Sequence, residues 1–315
     1  MPAIYATAPA KTILFGEHVV VYHRPAIAVP VTSINAKTTI IANPLGERDD
    51  ITILAPQIQI KSRYFELTSG DFFRIGIDGF KKILNIDHIP SCEISITSDI
   101  PVAAGLGSSA AVAVSFIRAL YKYLGKRPDL KEVNEIAYEM EKVKHQNPSG
   151  VDNTVITHQK PIFFIRDQAC EEINIKKPLT LVIADSGIPS LTKETVAMVR
   201  RNWENSPDKF NNLFDQIGAI TYHAKDILSS KNPKAVGSLM IQNHQLLQQL
   251  GVSCNELDKL VDSAIKAGAR GAKLCGAGMG GNIVALIDRS VRQTIQAALY
   301  QAGAVHVIIT TINPN

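Results

Sequence analysis

The chain has 315 residues, of which 45% are hydrophobic and 20% are charged, a composition typical of globular proteins. This length exceeds what one hydrophobic core usually organises, so we expect two domains. The formal net charge of +4 arises without a long basic run. That pattern argues against a nucleic-acid or membrane partner and is compatible with an anionic small-molecule substrate.

The cysteines and the N-terminal segment indicate the compartment. Cys92, Cys170, Cys254 and Cys275 lie far apart, with no C-x-x-C pair and no histidine cluster at metal-ligand spacing, so we interpret them as reduced thiols. No basic region precedes the first apolar stretch, and polar residues interrupt every apolar run well before bilayer length. We therefore expect a cytoplasmic protein.

The first part of the chain combines short strands with longer helices. Ile-, Val- and Thr-rich runs predict strands around 13–15, 38–41, 51–54 and 93–97. Apolar spacing predicts helices over 71–84 and 129–145, and the nearly all-apolar segment 108–124 predicts a buried helix. The third helix carries an apolar stripe formed by Val133, Ile136, Ala137, Met140 and Val143.

The pattern changes beyond about residue 175. It predicts a strand over 179–184, then helices near 192–202, 207–229, 233–249 and 254–267, then strands over 282–287 and 305–311. No repeat, low-complexity tract or long charge block occurs. We therefore predict a compact α+β protein with domains 1–175 and 176–315.

A glycine-rich segment, PVAAGLGSSAA at 101–111, joins a predicted strand to the buried helix. Its glycines allow close approach of the backbone to a ligand, and the first amides of the helix have no intrahelical partner. A phosphate placed there would accept several hydrogen bonds at the positive end of the helix dipole. Ser108 and Ser109 would add hydroxyl groups for the phosphate or for a metal ion.

Two other interpretations of this segment remain open. The simpler one is a capped helix start without a ligand. The other is a dinucleotide-binding turn of a nicotinamide or flavin oxidoreductase, because Gly105, Gly107 and Ala110 fit G-x-G-x-x-A. That motif needs a second parallel strand ending in an acidic residue, whereas the residues after 125 predict another helix. No Walker-type G-x-x-x-x-G-K-[ST] occurs.

A second glycine run, GAGMGGN at 276–282, leads into a predicted strand rather than a helix. Four glycines between two structured segments favour a loop that packs closely on the first glycine loop or on substrate. A plain hairpin turn is the alternative.

Phosphoryl transfer needs a metal-binding carboxylate, a base for the acceptor hydroxyl and a nearby cation. Glu141 is offset from the apolar stripe of its helix and is the candidate metal ligand; a solvated helix charge is the alternative. Asp152 follows a Pro-Ser-Gly turn and is the candidate base; an N-cap or Asx-turn role is the alternative. Lys11, at the start of an apolar strand, would be costly to bury unless paired with a group such as Asp152, although its ammonium could also extend to water.

Glu17 and His18 follow Gly16 and could hydrogen-bond a polyol or carboxylate substrate, with an ordinary turn as the alternative. Together with the two glycine loops, PAKTILFGEH at 9–18 resembles the three ordered motifs of the galactokinase, homoserine kinase, mevalonate kinase and phosphomevalonate kinase superfamily. Within it, NPSGVDN at 147–153 and SLTKETV at 190–196 are most similar to the mevalonate kinase family of the short archaeal type.

This resemblance implies an N-terminal ribosomal-protein S5-like domain, a C-terminal ferredoxin-like domain, and ATP-dependent phosphorylation of the mevalonate 5-hydroxyl in isoprenoid precursor synthesis. It also implies Asp152 as base, Lys11 as the cation beside the hydroxyl, and Ser109 with Glu141 as Mg²⁺ ligands. The implied ATP contacts are Pro101, Ala104, Gly105, Leu106, Gly107, Ser108, Ser109 and Ala110. The implied substrate contacts are Glu17, His18, Thr192, Gly276, Ala277 and Gly278.

The resemblance allows a homodimer and a sibling kinase acting on phosphomevalonate or on the mevalonate 3-hydroxyl. Two positions depart from the family pattern. Gln146 stands where many relatives have glycine, and Met279 interrupts a run that is often all glycine. We expect both departures to affect fine substrate preference rather than the reaction class.

Overall fold

The computed structural model describes residues 3–101, 105–145 and 148–314. Its contacts divide the chain into two compact units. The first unit comprises the described parts of Met1–Ala10, Ile34–Pro101 and Gly107–Gln159, and the second those of Lys11–Ser33, Val102–Leu106 and Lys160–Asn315. This division differs from the predicted single boundary at residue 175, because two long strands each contribute residues to both units.

Eleven strands occur in the described part of the chain. They are β1 (Ile4–Phe15), β2 (Ala26–Ala42), β3 (Ile51–Ala55), β4 (Ile60–Arg63), β5 (Cys92–Ser98), β6 (Ile162–Phe164), β7 (Glu171–Glu172), β8 (Leu179–Asp185), β9 (Gly271–Cys275), β10 (Asn282–Ile287) and β11 (His306–Ile312). The helices are α1 (Phe72–Leu84), α2 (Ser108–Tyr123), α3 (Leu130–Lys144), α4 (Val151–His158), α5 (Thr192–Asn205), α6 (Pro207–Leu228), α7 (Val236–Gln249), α8 (Asn255–Lys266) and α9 (Arg292–Ala302).

In the first unit, helices α1 to α4 accompany a sheet in which β3 runs parallel to β5 and antiparallel to β4. The second half of β2 pairs antiparallel with β5. Side-chain caps fix where two of these helices start: Asp71 accepts from the amide of Phe73 at 2.8 Å, and Asp129 accepts from the amide of Lys131 at 2.9 Å. Helix α2 packs against α3 and α4, with most of its surface buried as its apolar sequence predicts.

In the second unit, an antiparallel sheet with the order β11-β8-β10-β9 is accompanied by α5 to α9. Strands β8 and β10 are mostly apolar and buried along most of their length, and they supply the centre of the core. The first half of β2 pairs with β6, and β6 pairs with β7. Within the described residues, no helix is long and apolar enough to cross a bilayer.

The predicted helices and strands are present and most of their bounds agree within a few residues, but β1 and β2 begin well before the strands predicted at 13–15 and 38–41. The predicted α+β class is confirmed. Six of these elements were missed: the helices α4 and α9 and the short strands β4, β6, β7 and β9. Helix α9 buries only Ile295 and Leu299, so its apolar stripe is too thin to stand out. Strand β9 was missed because a lysine, Lys273, interrupts its apolar run. Helix α4 was missed because it has only 8 residues and begins directly after Gly150, in a segment that the sequence predicted to be a turn.

Candidate active site

The first and third motifs meet inside the second unit. The Thr12 hydroxyl and the Cys275 thiol share a buried hydrogen bond of 2.8 Å, and His18 Nε2 donates to the carbonyl of Ala277 at 2.8 Å. These bonds connect the end of β1 to the end of β9 and the loop after it. Segments separated by more than 250 residues of sequence therefore form one site.

The second glycine run, residues 276–281, is the loop of the hairpin formed by β9 and β10, since Asn282 is paired with Cys275. We call residues 276–281 the hairpin loop. Its Met279 and Gly281 amides donate to the carbonyls of Val252 and Ile188 at 2.8 and 2.7 Å. A Cβ atom on Gly278 would lie 1.9 Å from the Val252 carbonyl oxygen, so only glycine fits there. The run is thus a hairpin connection, as the simpler interpretation held, but it also packs closely on neighbouring segments, which that interpretation did not include.

The first glycine loop also lies beside these segments. A Cβ atom on Gly276 would lie 3.9 Å from the Cα of Gly105, and the Lys11 amide donates to the Leu106 carbonyl at 3.0 Å. The second unit thus brings parts of all three motifs together. Leu106 is buried and Pro101 half-buried, while Ala104 lies outside the described residues.

Helix α2 begins with residues suited to binding an anion. Gly107 is its N-cap with φ of 73°, and no side chain among the described residues caps the first turn. Ser108 and Ser109 are half-buried, whereas Ala110 is fully buried. The first amides of a helix lack intrahelical acceptors and carry partial positive charge. The alternative interpretation, a helix start without a ligand, provides no acceptor for these amides and therefore explains them less well.

The dinucleotide alternative loses its structural basis. After α2 the chain enters α3 and then α4, and no strand lies between α2 and α4 within the described residues. The parallel strand that would carry the ribose-binding carboxylate in a dinucleotide fold is not formed there. The Gly105, Gly107 and Ala110 pattern therefore does not form a dinucleotide-binding turn.

Glu141 is not the solvated helix charge that its neighbours suggested. Its side chain is only 3% exposed, whereas Lys142, Val143 and Lys144 face solvent. Val143 therefore does not continue the predicted apolar stripe, and Glu141 occupies the buried side of the last turns of α3. Burying a carboxylate costs free energy of folding unless it is paired with a positive charge or binds a metal cation.

Asp152 is the second residue of α4 and is half-buried. It lies in the first helical turn rather than on the turn before it, and Gly150, with φ of 87°, is the N-cap in its place. Two neighbours fix this turn: the Asn153 side chain donates to Asn134 Oδ1 at 2.7 Å, and the Thr154 hydroxyl donates to the Gly150 carbonyl at 2.6 Å. These contacts hold the Asp152 carboxylate at a defined helix start.

Lys11 is in the interior of β1 rather than at its start, and its side chain is 4% exposed. The alternative in which its ammonium extends to water is therefore wrong. The predicted pairing of Lys11 with Asp152 stays a prediction.

Glu17 and His18 lie in an ordered turn after β1. Burial lowers the pKa of His18 to about 4, an effect opposed by the hydrogen bond to Ala277 and reinforced by the nearby positive charge of Lys273. The ring is thus neutral near pH 7. Because Nε2 donates to a carbonyl, Nδ1 carries no proton and is a hydrogen-bond acceptor.

The substrate-side segment around Thr192 reaches the hairpin loop through its neighbour. The Ser190 hydroxyl donates to the Gly278 carbonyl at 3.0 Å, and the Thr192 amide donates to the Ser190 carbonyl at 3.0 Å. Thr192 itself is the first residue of α5 and is exposed. The segment is therefore tied to the loop by the Ser190 side chain, and the Thr192 side chain lies at the surface.

Sequence reasoning missed the residues that hold these groups in place. Asn134 and Asn153 position the start of α4, and Lys273 and Asn243 contact Glu17. The available signals were polar residues at positions of apolar elements, such as the lysine within β9. Asn147 and Gln146, which belong to the predicted turn, lie outside the described residues.

A phosphoryl-transfer reaction would use a metal ion to neutralise charge on the phosphates. No cluster of three or more His, Cys, Asp or Glu side chains suited to a metal occurs in the described ranges. Mg²⁺ commonly takes one or two protein oxygens and completes its shell with phosphate and water oxygens. The Ser109 hydroxyl on α2 and the buried Glu141 carboxylate on α3, two helices that pack together, are oxygen donors of that kind.

The chain is similar to known kinases over almost its full length. The GHMP kinases N terminal domain matches residues 75–160, and the GHMP kinases C terminal domain matches residues 224–305. The mevalonate kinase of Pyrococcus furiosus is 36% identical over 320 residues, which cover 95% of this chain and 94% of that protein.

Solved structures agree with this similarity. The crystal structure of L. major mevalonate kinase in complex with R-mevalonate is 29% identical, with a TM-score of 0.82, and the alignment covers 99% of this chain and 96% of that one. Methanococcus jannaschii mevalonate kinase, at 24% identity, shares the fold with a TM-score of 0.85 and coverage of 100% and 99%. The predicted two-domain kinase fold is thereby confirmed. The chain belongs to the GHMP kinases and, within them, to the mevalonate kinase family.

Proposed function

We propose that this protein transfers the γ-phosphoryl group of ATP to the 5-hydroxyl of (R)-mevalonate, giving 5-phosphomevalonate and ADP. The observation that carries the proposal is the convergence of the three ordered family motifs, through the contacts of Thr12 with Cys275, His18 with Ala277 and Lys11 with Leu106. Near full-length similarity to mevalonate kinases supports mevalonate as the acceptor.

On the donor side, the amides at the start of α2 would bind the phosphates of ATP, together with the backbone of residues 105–110. Their fixed orientation neutralises phosphate charge without reorganisation, which is the main contribution a protein makes to phosphoryl transfer. Mg²⁺, when bound, would offset charge on the phosphate oxygens, and Ser109 with Glu141 would hold it. Both residues supply the oxygen donors that this cation prefers.

On the acceptor side, Asp152 would take the proton of the 5-hydroxyl as that oxygen attacks the γ-phosphorus. Its place in the first turn of α4, fixed by Asn153 and Thr154, supports a carboxylate aimed by rigid backbone. Lys11 would lower the proton affinity of the same hydroxyl through its positive charge. A buried cation acts more strongly in such a role than one surrounded by water.

Mevalonate would lie beside the hairpin loop, with His18 and Thr192 as polar contacts and Gly276, Ala277 and Gly278 close to the reacting groups. The neutral His18 ring supports this role, because its Nδ1 can accept a hydrogen bond from a hydroxyl group. Glu17 was predicted to contact substrate as well, but its side chain is fully buried and paired with Lys273.

The test measures ADP release by the purified protein with Mg-ATP and each of four acceptors: mevalonate, phosphomevalonate, homoserine and galactose. Turnover with mevalonate alone is expected, and ³¹P and ¹³C NMR of the product should place the phosphate on C5. A product phosphorylated at the 3-hydroxyl, or turnover only with phosphomevalonate, would establish the sibling activity in its place.

Two further expectations, on cellular location and on assembly, are part of the same proposal. We infer a cytoplasmic location, supported by the four cysteines forming no disulfide, and we propose a homodimer as the assembly. Fractionation of the native cells tests the first. Light scattering of the purified protein at several concentrations tests the second.

A further inference from the structure

A buried ion pair lies beside the proposed acceptor side. The Lys273 ammonium on β9 contacts Glu17 Oε1, and both side chains are 0% exposed. Lys273 also donates to the carbonyl of Leu274 at 2.7 Å. Removing two charges from water is costly, and such a pair adds little net stability compared with apolar side chains of similar size. Its presence inside a core therefore calls for a role other than stability.

The same carboxylate is held from a second direction. Asn243, buried on α7, donates through Nδ2 to Glu17 Oε2 at 3.3 Å. Both carboxylate oxygens of Glu17 therefore have protein partners, and the side chain has no accessible surface for a substrate. Glu17 thus connects the turn after β1 to β9 and to α7, whereas its neighbour His18 makes the contact with the hairpin loop.

The turn that carries His18 needs such support. His18 has φ of 64°, a left-handed backbone conformation that non-glycine residues rarely adopt. Gly16 precedes it with φ of 89°, and a Cβ atom there would lie 2.3 Å from the Pro25 carbonyl oxygen. A strained conformation persists only when the surroundings fix it. The contacts of Glu17 on one side and of His18 with Ala277 on the other provide this constraint.

We propose that Lys273 is a positioning residue for the transfer reaction: its ion pair with Glu17 fixes the strained turn so that His18 donates through Nε2 to Ala277 and presents Nδ1 to a hydroxyl group of the acceptor. This inference rests on the proposed function, in which His18 lies on the acceptor side. Glu17 then acts through His18 and the turn rather than by touching substrate.

The test uses the double variant Glu17→Gln with Lys273→Met. The single Lys273→Met change would leave a buried carboxylate without its cation and would endanger folding. The double variant removes both charges while keeping similar volumes. Its matched control is Asp49→Asn with Lys81→Met, which neutralises a lysine–aspartate pair in the first unit, joined at 3.0 Å and made of residues that the proposed site does not include.

We expect the KM for mevalonate to rise about ten-fold in the Glu17/Lys273 variant, the loss of one well-placed hydrogen bond. The KM for ATP should stay within about two-fold of the unmodified protein. Long-range ¹⁵N–¹H NMR spectra of the His18 ring should change from one tautomer, with the proton on Nε2, to a mixture. The Asp49/Lys81 variant should change none of these three quantities.

An unchanged KM for mevalonate, an equal rise in the KM for ATP, or an unchanged His18 tautomer would each overturn the inference and leave the pair a structural one. If the unmodified protein does not phosphorylate mevalonate, the proposed function fails. The His18 tautomer then decides the inference about Lys273, because that measurement needs no substrate.

Discussion

Two regions of the molecule use glycine for opposite purposes. In the helix-start region, formed by the first turns of α2 and α4 (residues 107–110 and 150–152), glycine caps leave the first amides without intrahelical partners and serine hydroxyls half-exposed. In the hairpin loop, the Ala277 and Gly278 carbonyls and the Met279 and Gly281 amides all bond to other protein groups. The second region is therefore held by internal hydrogen bonds, whereas the first contains the partly exposed serines that the proposed function assigns to ligand binding.

Mutations in the two regions should therefore have different effects. Changes in the helix-start region should reduce activity while leaving the free energy of unfolding nearly unchanged. Changes in the hairpin loop should reduce the free energy of unfolding, because its backbone groups are already committed to internal contacts. The following predictions test that separation, from the largest expected effect to the smallest.

Asp152→Asn should lower kcat by roughly 100- to 10,000-fold, the contribution of a well-placed general base. The free energy of unfolding should fall by no more than about 1 kcal/mol, the value of one carboxylate in a first helical turn. Steady-state kinetics and urea unfolding measure the two quantities.

The control is Asp208→Asn. It removes an exposed carboxylate from the second residue of α6, the position that Asp152 has in α4. It should show the small stability change and full activity. A kcat for Asp152→Asn within about ten-fold of the unmodified protein would be too high for loss of a general base.

Gly278→Ala should destabilise the protein more than Gly105→Ala, although both glycines have similar φ values of 76° and 71°. The left-handed backbone costs both alanines about 1–2 kcal/mol. Only at Gly278 does the new methyl group meet a backbone oxygen at 1.9 Å; around Gly105 no atom of the described residues lies within 4 Å. We therefore expect an additional loss of about 1–3 kcal/mol for Gly278→Ala in urea unfolding. Equal losses would show that the hairpin loop yields easily, contrary to the comparison.

Stability should fall between pH 6.5 and 4 through His18. Its folded-state pKa of about 4 lies below the ordinary 6.5, so the folded state binds the proton less readily than the unfolded chain. The contribution is fully present above pH 6.5 and is lost as the pH falls, by about 3 kcal/mol in all. Burial lowers the pKa of His244 too, which acts in the same direction.

His18→Gln should flatten this part of the pH profile, measured by urea unfolding at a series of pH values. His223→Gln, which replaces an exposed histidine on α6, should leave the profile unchanged. The carboxylate of Asp49, whose pKa is lowered from 3.8, contributes stability that is present above that pH and is lost only below it, so it does not interfere. A profile that stays steep without His18 would assign the effect to other groups.

Met279→Gly should have the smallest effect, a gain of about 0.5 kcal/mol in unfolding free energy. Met279 has φ of 53° and a side chain that is 44% exposed. Glycine relieves about 1–2 kcal/mol of backbone strain but loses about 0.5–1 kcal/mol through greater freedom of the unfolded chain. Differential scanning calorimetry measures the change. A loss of stability instead would mean that the methionine side chain makes packing contacts that outweigh its strain.

The sequence allowed prediction of those parts of the fold that local patterns determine. The long helices and the two glycine runs were recognised because periodicity and turn residues act within a few positions. The surroundings of Glu17 were not, because Lys273 and Asn243 lie 256 and 226 residues away and no local pattern records such a contact. A charged residue inside a short apolar run, as at Lys273, was the one sign of a buried partner elsewhere.

The distance in sequence between Glu17 and Lys273 also affects how the protein is made. A ribosome adds about 5–20 residues per second, so the carboxylate emerges roughly 10–50 s before the lysine that will neutralise it. During that time the turn carrying His18 has neither its charge partner nor the loop that contains Ala277. The acceptor side of the site is thus among the last parts of a nascent chain to form, and a polypeptide that ends before β9 would expose Glu17 as an uncompensated charge.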